Sequence, residues 1–295
     1  MSRLSVSAPA KVNLHLQVLG RRPDGFHEVR TLLQSVDWCD ELEAESAPVG
    51  ELSLEVEPAD AAPEGDDNLV LRAARCLWGR LGERPGARLR LSKRIPAGAG
   101  LGGGSADAAA ALVLLDRLWS VGLAQDDLHA MASALGSDVP FFLQGGLALG
   151  VGRGEEVYRL PDLPATDVVV AVPPLSLATA AVYRRLPPQL TWRPTDVTVY
   201  AFAAGLAAEP CWDSFYNDLQ SVVLEGWPAV ASVVEYLRGC GPLLAAVTGS
   251  GAAAFALFRD RAGAIRAAES APGSCRVHRG TTLGRDSARL QVREG

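Results

Sequence analysis

The chain has 295 residues, 48% of them hydrophobic and 21% charged, which is enough to bury a sizeable core and to divide into two domains. Its formal charge of −6 argues against a general nucleic-acid binder, which needs basic surface to neutralise phosphates. No apolar run reaches the length of a membrane span and the first residues lack the apolar core of a signal peptide, so a cytoplasmic protein without a membrane partner is expected.

In chain order, Leu4–Ser7 and Val12–Val18 read as strands, with Ser7–Lys11 between them as a bend because Pro9 removes a donor. Val12, Leu14, Leu16 and Val18 share one face, and Asn13, His15 and Gln17 the other. Lys11 and Asn13 therefore project from one side, and on spacing alone a solvated face is the reading for both. A Pro-Asp-Gly turn precedes Phe26 and His27, an aromatic–His pair suited to a flat heterocycle. Val29–Val36, Glu41–Glu45 and Gly50–Asp60 follow as strands, then a helix over Asn68–Leu81 and a strand over Ala87–Ile95. Beyond the next loop come helices over Ala106–Leu118 and Ala124–Leu135, a break at Gly136–Phe142, and a hairpin over Gly145–Leu160. Asp138, two residues before Pro140, reads on its own as a helix cap.

The apolar strand Asp167–Pro173 opens a second core. After it come a short helix at Ala178–Leu186, helices at Val197–Ala208 and Val230–Leu237, two strands joined by Gly-Ser-Gly within Leu243–Phe258, a helix at Arg261–Ser270 and a strand at Cys275–Thr281. This order predicts a ferredoxin-like layer in an α+β protein. The tail Leu283–Gly295 reads as loosely ordered.

The organising stretch is Pro96-Ala97-Gly98-Ala99-Gly100-Leu101-Gly102-Gly103-Gly104-Ser105-Ala106-Asp107, set between a strand and an Ala-rich helix. Glycines free backbone N–H groups to face a ligand, and a helix N-terminus adds partial positive charge, so the stretch reads as a cradle for a nucleotide phosphate. It is not a Walker A loop, since the chain has no Gly-Lys, and its glycines are too dense for a dinucleotide fingerprint. The five cysteines, Cys39, Cys76, Cys211, Cys240 and Cys275, are scattered without metal spacing and read as reduced, mostly buried residues. Lysine occurs only at Lys11 and Lys93, arginine supplying every other basic position. Base composition explains such a bias, and so does a need at two places for a compact ammonium.

Three blocks, Ser7–Leu16, Pro96–Ala109 and Val247–Phe255, stand in the order of the GHMP kinase family, which the whole chain resembles. The resemblance implies a two-domain α+β fold. An N-terminal domain of the ribosomal-protein-S5-like domain 2 type would span residues 1–163, and a ferredoxin-like C-terminal domain residues 164–295. Within the family, Gly20–Leu42, Leu135–Gly146 and Phe215–Gln220 resemble the branch that phosphorylates the 2-hydroxyl of 4-diphosphocytidyl-2-C-methyl-D-erythritol in non-mevalonate isoprenoid synthesis. ATP and Mg²⁺ are then implied, with Pro96–Ala106 holding ATP, in a monomer or homodimer.

Asp138 matches the family's catalytic Asp and Lys11 the lysine beside it. A positioned carboxylate can take the hydroxyl proton as the phosphorus–oxygen bond forms, and an ammonium beside it counters charge on the transferring group. The resemblance makes Asn13 a substrate partner, Phe26 and Tyr183 an aromatic pair around the cytosine, and His27 the reader of its edge. It also puts Thr179, Asp218, Gly249 and Ser250 near the same substrate. The first ring is usually Tyr and the second Phe, the reverse of this chain. Ser105 is the implied Mg²⁺ ligand, and the helix Glu of many members has no counterpart. Asp107 stands where relatives often have Asn, and it is expected to point away from the loop. Rival readings are a family kinase for another small alcohol and a non-catalytic member that only binds a ligand.

Overall fold

A computed structural model describes residues 3–187 and 210–295. The helix expected at Val197–Ala208 lies outside the described residues.

Two long antiparallel strands form the spine: β1 (Leu4–Arg21) and β2 (His27–Ala47). The bend expected at Pro9 does not interrupt β1. The pairing absorbs it as a register shift between Pro9 and Ala10, so the expected strand pairs are each one strand. β2 is long enough to carry different partners at its two ends. Its Thr31–Gln34 stretch pairs with β5 (Leu147–Val151), which forms a hairpin with β6 (Glu156–Arg159). Its Glu41–Ala47 stretch pairs with β4 (Gly86–Ser92). β3 (Leu52–Glu57) lies parallel to β4, and α1 (Leu69–Leu81) makes the crossover that parallel strands require. Asn68 caps α1 by accepting the Val70 N–H at 2.9 Å, and Gly82 ends it at φ +69°.

Helices α2 (Gly103–Leu118), α3 (Gln125–Leu135) and α4 (Val139–Gln144) complete the first layer pair. α2 packs on both β1 and β2. Ala106, Ala108, Ala109, Ala110 and Ala111 are fully buried, and their small side chains let the helix lie close to the sheet.

The second sheet has the order β10-β7-β9-β8, all antiparallel, from β7 (Asp167–Val172), β8 (Leu244–Val247), β9 (Ala254–Phe258) and β10 (Arg276–Thr281). With α5 (Thr179–Tyr183), α6 (Gln220–Gly226), α7 (Pro228–Gly239) and α8 (Arg261–Glu269), it is the expected ferredoxin-like layer. One apolar cluster joins the sheets, with Val12 and Leu14 of β1 packed among Val170 and Phe255. At another junction His278 of β10 stacks on Trp38 at 4.9 Å between centroids, with its Nε2 3.0 Å from Asp37 Oδ1.

Three expectations need correction. The Lys11/Asn13 side of β1 is not solvated: Lys11, Asn13, His15 and Gln17 are as buried as the apolar face, because distant segments close over it, with Thr248 bonded to Asn13 and Tyr216 donating its N–H to His15 Nδ1. The tail is ordered. α9 (Arg285–Ala288) packs on β2, Leu290 joins the first core, and β11 (Arg293–Glu294) pairs with β1. None of the five cysteines is fully buried, and Cys211 is exposed. Burial still pushes the Cys39 thiol up to about 11, so it stays protonated at neutral pH.

Candidate active site

The three sequence blocks meet at one place. The Lys11 N–H donates to Leu101 O at 3.0 Å, the Ala253 N–H to Ala99 O at 3.0 Å, and Thr248 Oγ1 lies 3.2 Å from Gly100 O. Close approach explains the glycines. A Cβ on Gly100 would lie 2.3 Å from Thr248 O, and one on Gly102 would lie 2.7 Å from the Phe142 ring, both at positive φ. The loop thus runs into α2 with its first turn facing an open cleft of about 1620 Å³.

Pro96–Ser105 line that cleft, together with Lys11, Asn13, Phe26, His27, Asp138, Thr179, Tyr183, Gly249 and Ser250. Two expected site residues stand off it. Ala106 is fully buried in the helix–sheet core. Asp218 accepts the Val18 N–H at 2.8 Å and donates its own N–H to Leu16 O at 2.9 Å, tying its loop to β1.

Lys11 and Asp138 form the charged centre, 3.4 Å apart between Nζ and Oδ2. Asp138 occupies the N-cap position of α4, but its side chain caps nothing. The carboxylate is 36% exposed to the cleft while the lysine is 3% exposed, so Lys11 is fixed and Asp138 faces a ligand. Asn13 holds the lysine by accepting from Nζ at 2.6 Å. Its orientation is dictated: Thr31 Oγ1 donates to His15 O at 2.8 Å and so accepts from Asn13 Nδ2, also at 2.8 Å. Both polar atoms of the Asn13 side chain are thus engaged within the protein. Thr248, which sequence reasoning missed, accepts the Asn13 N–H at 3.0 Å and reaches Asn13 Oδ1 at 3.1 Å. Asn217 was missed too. Its Nδ2 donates to Val247 O and Gly249 O and so shapes the turn facing Lys11. Both stand inside blocks the sequence singled out, but a hydroxyl or amide with a backbone partner has no periodic signature.

At the other end of the cleft the rings of His27 and Tyr183 face each other at 4.7 Å. The partner of Phe26 is different: Arg153, in the β5–β6 turn, places its guanidinium 4.9 Å from the Phe26 ring. Arg153 also lines the cleft and is held by Glu155 at 2.9 Å. Phe26 is 53% exposed, a large ring left open at a cleft mouth. Burial, then Arg21, holds the His27 imidazolium below its ordinary range, so the ring is neutral at pH 7 with one donor and one acceptor nitrogen. Burial, then the charges of Asp138 and Asp218, raises the Tyr183 phenol, which stays protonated. Thr179 and Ser250 share a hydroxyl hydrogen bond of 2.9 Å across the cleft wall.

The second lysine is also in a charged cluster, beneath the loop. Lys93 Nζ donates to Asp40 and, at 2.8 Å, to Asp107 Oδ2. Asp107 does point away from the cleft-facing side of the loop, as expected, and it is buried. Burial pushes its carboxyl up to about 8 against the pull of Lys93, with Asp40 adding to the rise.

For a metal the donors are Ser105 Oγ and the Asp138 carboxylate, both on the cleft. Among the described residues no group of three His, Cys, Asp or Glu could cage an ion. That donor set fits Mg²⁺ carried on phosphate oxygens and water rather than held by protein alone.

Comparison with known proteins identifies the family. The profile for the GHMP kinases N terminal domain matches residues 68–146, and that for the GHMP kinases C terminal region matches residues 203–276. A 4-diphosphocytidyl-2-C-methyl-D-erythritol kinase of Pelotomaculum thermopropionicum is 45% identical over 259 residues, 87% of this chain and 90% of the relative. One of Geobacter sulfurreducens is 39% identical over 269 residues, covering 91% and 95%. A crystal structure of 4-(cytidine 5'-diphospho)-2C-methyl-D-erythritol kinase superposes with TM-score 0.79 at 37% identity, covering 95% of this chain and 99% of the other. Homoserine kinase from Cytophaga hutchinsonii shares the fold, with TM-score 0.71 at 20% identity over 99% and 97% of the two chains. No helix among the described residues is long and apolar enough to cross a membrane. The chain belongs to the GHMP kinase family.

Proposed function

We infer that this chain is an ATP-dependent kinase of the 2-hydroxyl of 4-diphosphocytidyl-2-C-methyl-D-erythritol, giving the 2-phosphate and ADP on the route to isopentenyl diphosphate. The observation that carries this reading is the place of the Lys11–Asp138 pair. It stands in one cleft with the glycine loop and with the His27 and Tyr183 rings.

The ATP phosphates lie against Gly98–Ser105, where loop amides and the α2 dipole favour negative charge. The acceptor hydroxyl sits beside Asp138. As its oxygen bonds to the γ-phosphorus, the carboxylate takes its proton and the bond to the β-phosphate oxygen breaks. Lys11, fixed by Asn13, sets positive charge against the equatorial oxygens of the transferring group. Mg²⁺ on the phosphates would meet Ser105 and neutralise phosphate charge. The cytosine stacks on Tyr183 and Phe26, and His27 offers its ring nitrogens to the base edge. Asn13 acts through Lys11, and Thr179, Gly249 and Ser250 shape the wall around the acceptor. Residues 1–163 supply the nucleotide side and residues 164–295 complete the cleft, in a cytoplasmic enzyme.

An ADP-release assay with Mg·ATP tests the reading. Turnover is expected with the diphosphocytidyl alcohol and not with mevalonate, homoserine or galactose. Turnover with one of those three alone would overturn the acceptor assignment.

A further inference from the structure

The glycine loop has two stems: the end of β4 with Lys93–Ile95, and the first turns of α2 with Gly103–Asp107. One buried cluster ties both stems to β2. Asp40 of β2 accepts the Arg94 N–H at 2.5 Å and the Ile95 N–H at 2.8 Å through Oδ1, and Lys93 through its other oxygen. Lys93 in turn donates to Asp107 on α2. The fit is tight. A Cβ on Gly103 would lie 2.9 Å from Ile95 Cγ2 and 3.1 Å from Lys93 Nζ, leaving no room for a guanidinium fork. Lys93, Asp40 and Asp107 are all buried, and none of them lines the cleft.

Burying three ionisable groups is a poor way to gain stability, because desolvation offsets their attraction and a well-packed apolar set does as well. Such clusters are best accounted for by the geometry they specify. Here the specified quantity is the span between the two stems, which sets how the loop amides converge. We propose that Lys93, with Asp40 and Asp107, positions the phosphate loop: it fixes the gap between β4 and α2 at the width that fits a nucleotide's phosphates. The proposal rests on the reading that this loop holds ATP. Asp107 is the thinnest point of the tie, since α2 joins the cluster through that one side chain.

The test replaces Asp107 and leaves the Lys93–Asp40 pair in place. Asp107→Ala cuts the tie, whereas Asp107→Asn keeps an oxygen for Lys93. ADP binding by calorimetry needs no acceptor, and it is read beside the KM of ATP, the KM of the diphosphocytidyl alcohol and kcat. In Asp107→Ala the Kd of ADP and the KM of ATP are expected to rise by about tenfold or more, the KM of the alcohol to change by less than about twofold, and Asp107→Asn to recover most of the loss. Circular dichroism confirms that both variants are folded. An unchanged ADP Kd in Asp107→Ala overturns the proposal, as does an equal rise in both KM values or a failure of Asp107→Asn to rescue. If Asp107→Ala does not fold, Asp107→Asn and Asp107→Ser are ranked by ADP Kd instead, and equal values overturn it. A wild-type chain that binds no ADP brings down the nucleotide reading as well.

Discussion

The two lysines of this chain make a natural comparison. Both are buried and both face aspartate, yet their surroundings differ in one respect. The partner of Lys11 opens onto the cleft, with Asp138 36% exposed, while the partners of Lys93 are sealed, with side chains 0% and 4% exposed. An exposed carboxylate beside a fixed ammonium can exchange a proton with a ligand. A sealed trio can only satisfy itself and the backbone around it. The same pairing of residue types is therefore open to a ligand in one place and closed in the other, and solvent access separates the two.

The largest effect expected is at Asp138. Asp138→Asn should lower kcat by about 10²–10⁴-fold, the range of general acid–base contributions, with ADP binding retained. A near wild-type rate would remove Asp138 from the mechanism. The next pair of variants bears directly on the comparison. Lys93→Met leaves the sealed Asp40 carboxylate without its cation and Asp107 without its donor, and should cost about 3–5 kcal/mol of stability, read as a marked fall in Tm. Lys11→Met leaves a cleft-exposed carboxylate and an Asn13 oxygen that Thr248 still reaches, so its loss should fall on kcat, by about 10²-fold or more, with a much smaller change in Tm. Equal Tm losses in the two variants would erase the distinction.

At the Phe26 end of the cleft, Phe26→Ala should raise the KM of the diphosphocytidyl alcohol by about tenfold, as expected if the ring makes one stacking contact, and leave the KM of ATP unchanged. Parallel rises in both would dismiss the stacking role. The smallest effect concerns the junction between the sheets. Burial acts against ionisation of Asp37, but the hydrogen bond from His278, with Thr281 adding to it, holds the carboxyl below its ordinary value. A depressed carboxylate contributes its stability fully above the unfolded-state value and loses it as pH falls through the folded-state value. The Tm gap between wild type and Asp37→Asn should therefore narrow below about pH 4. A gap independent of pH would show that the carboxylate charge contributes nothing there.

Much of this was legible in residue patterns. Period-2 runs marked the strands, the order from β7 to β10 marked the ferredoxin-like layer, and glycine density before an Ala-rich helix marked the loop that lines the cleft. Other features were not. Polar residues alternating along β1 look solvated, yet Asn13, His15 and Gln17 are buried, because Thr248 and Tyr216, more than 200 positions away in the chain, fold over Asn13 and His15. The polar tail looks loose, yet a pairing 290 positions away holds it: Leu4 stands opposite Glu294. Asp138 before Pro140 looks like a cap, and only its unused capping bond and its distance to Lys11 show otherwise.

The sequence by itself determined the local elements, the family blocks and the two positions where lysine replaces arginine, because propensity, backbone freedom and side-chain chemistry act over a few residues. Which lysine serves the cleft and which fastens its floor was decided only by tertiary structure. Burial and partner choice depend on residues brought together from distant parts of the chain: Lys11 meets Asp138 from the other end of the domain, while Lys93 meets Asp40 across a sheet.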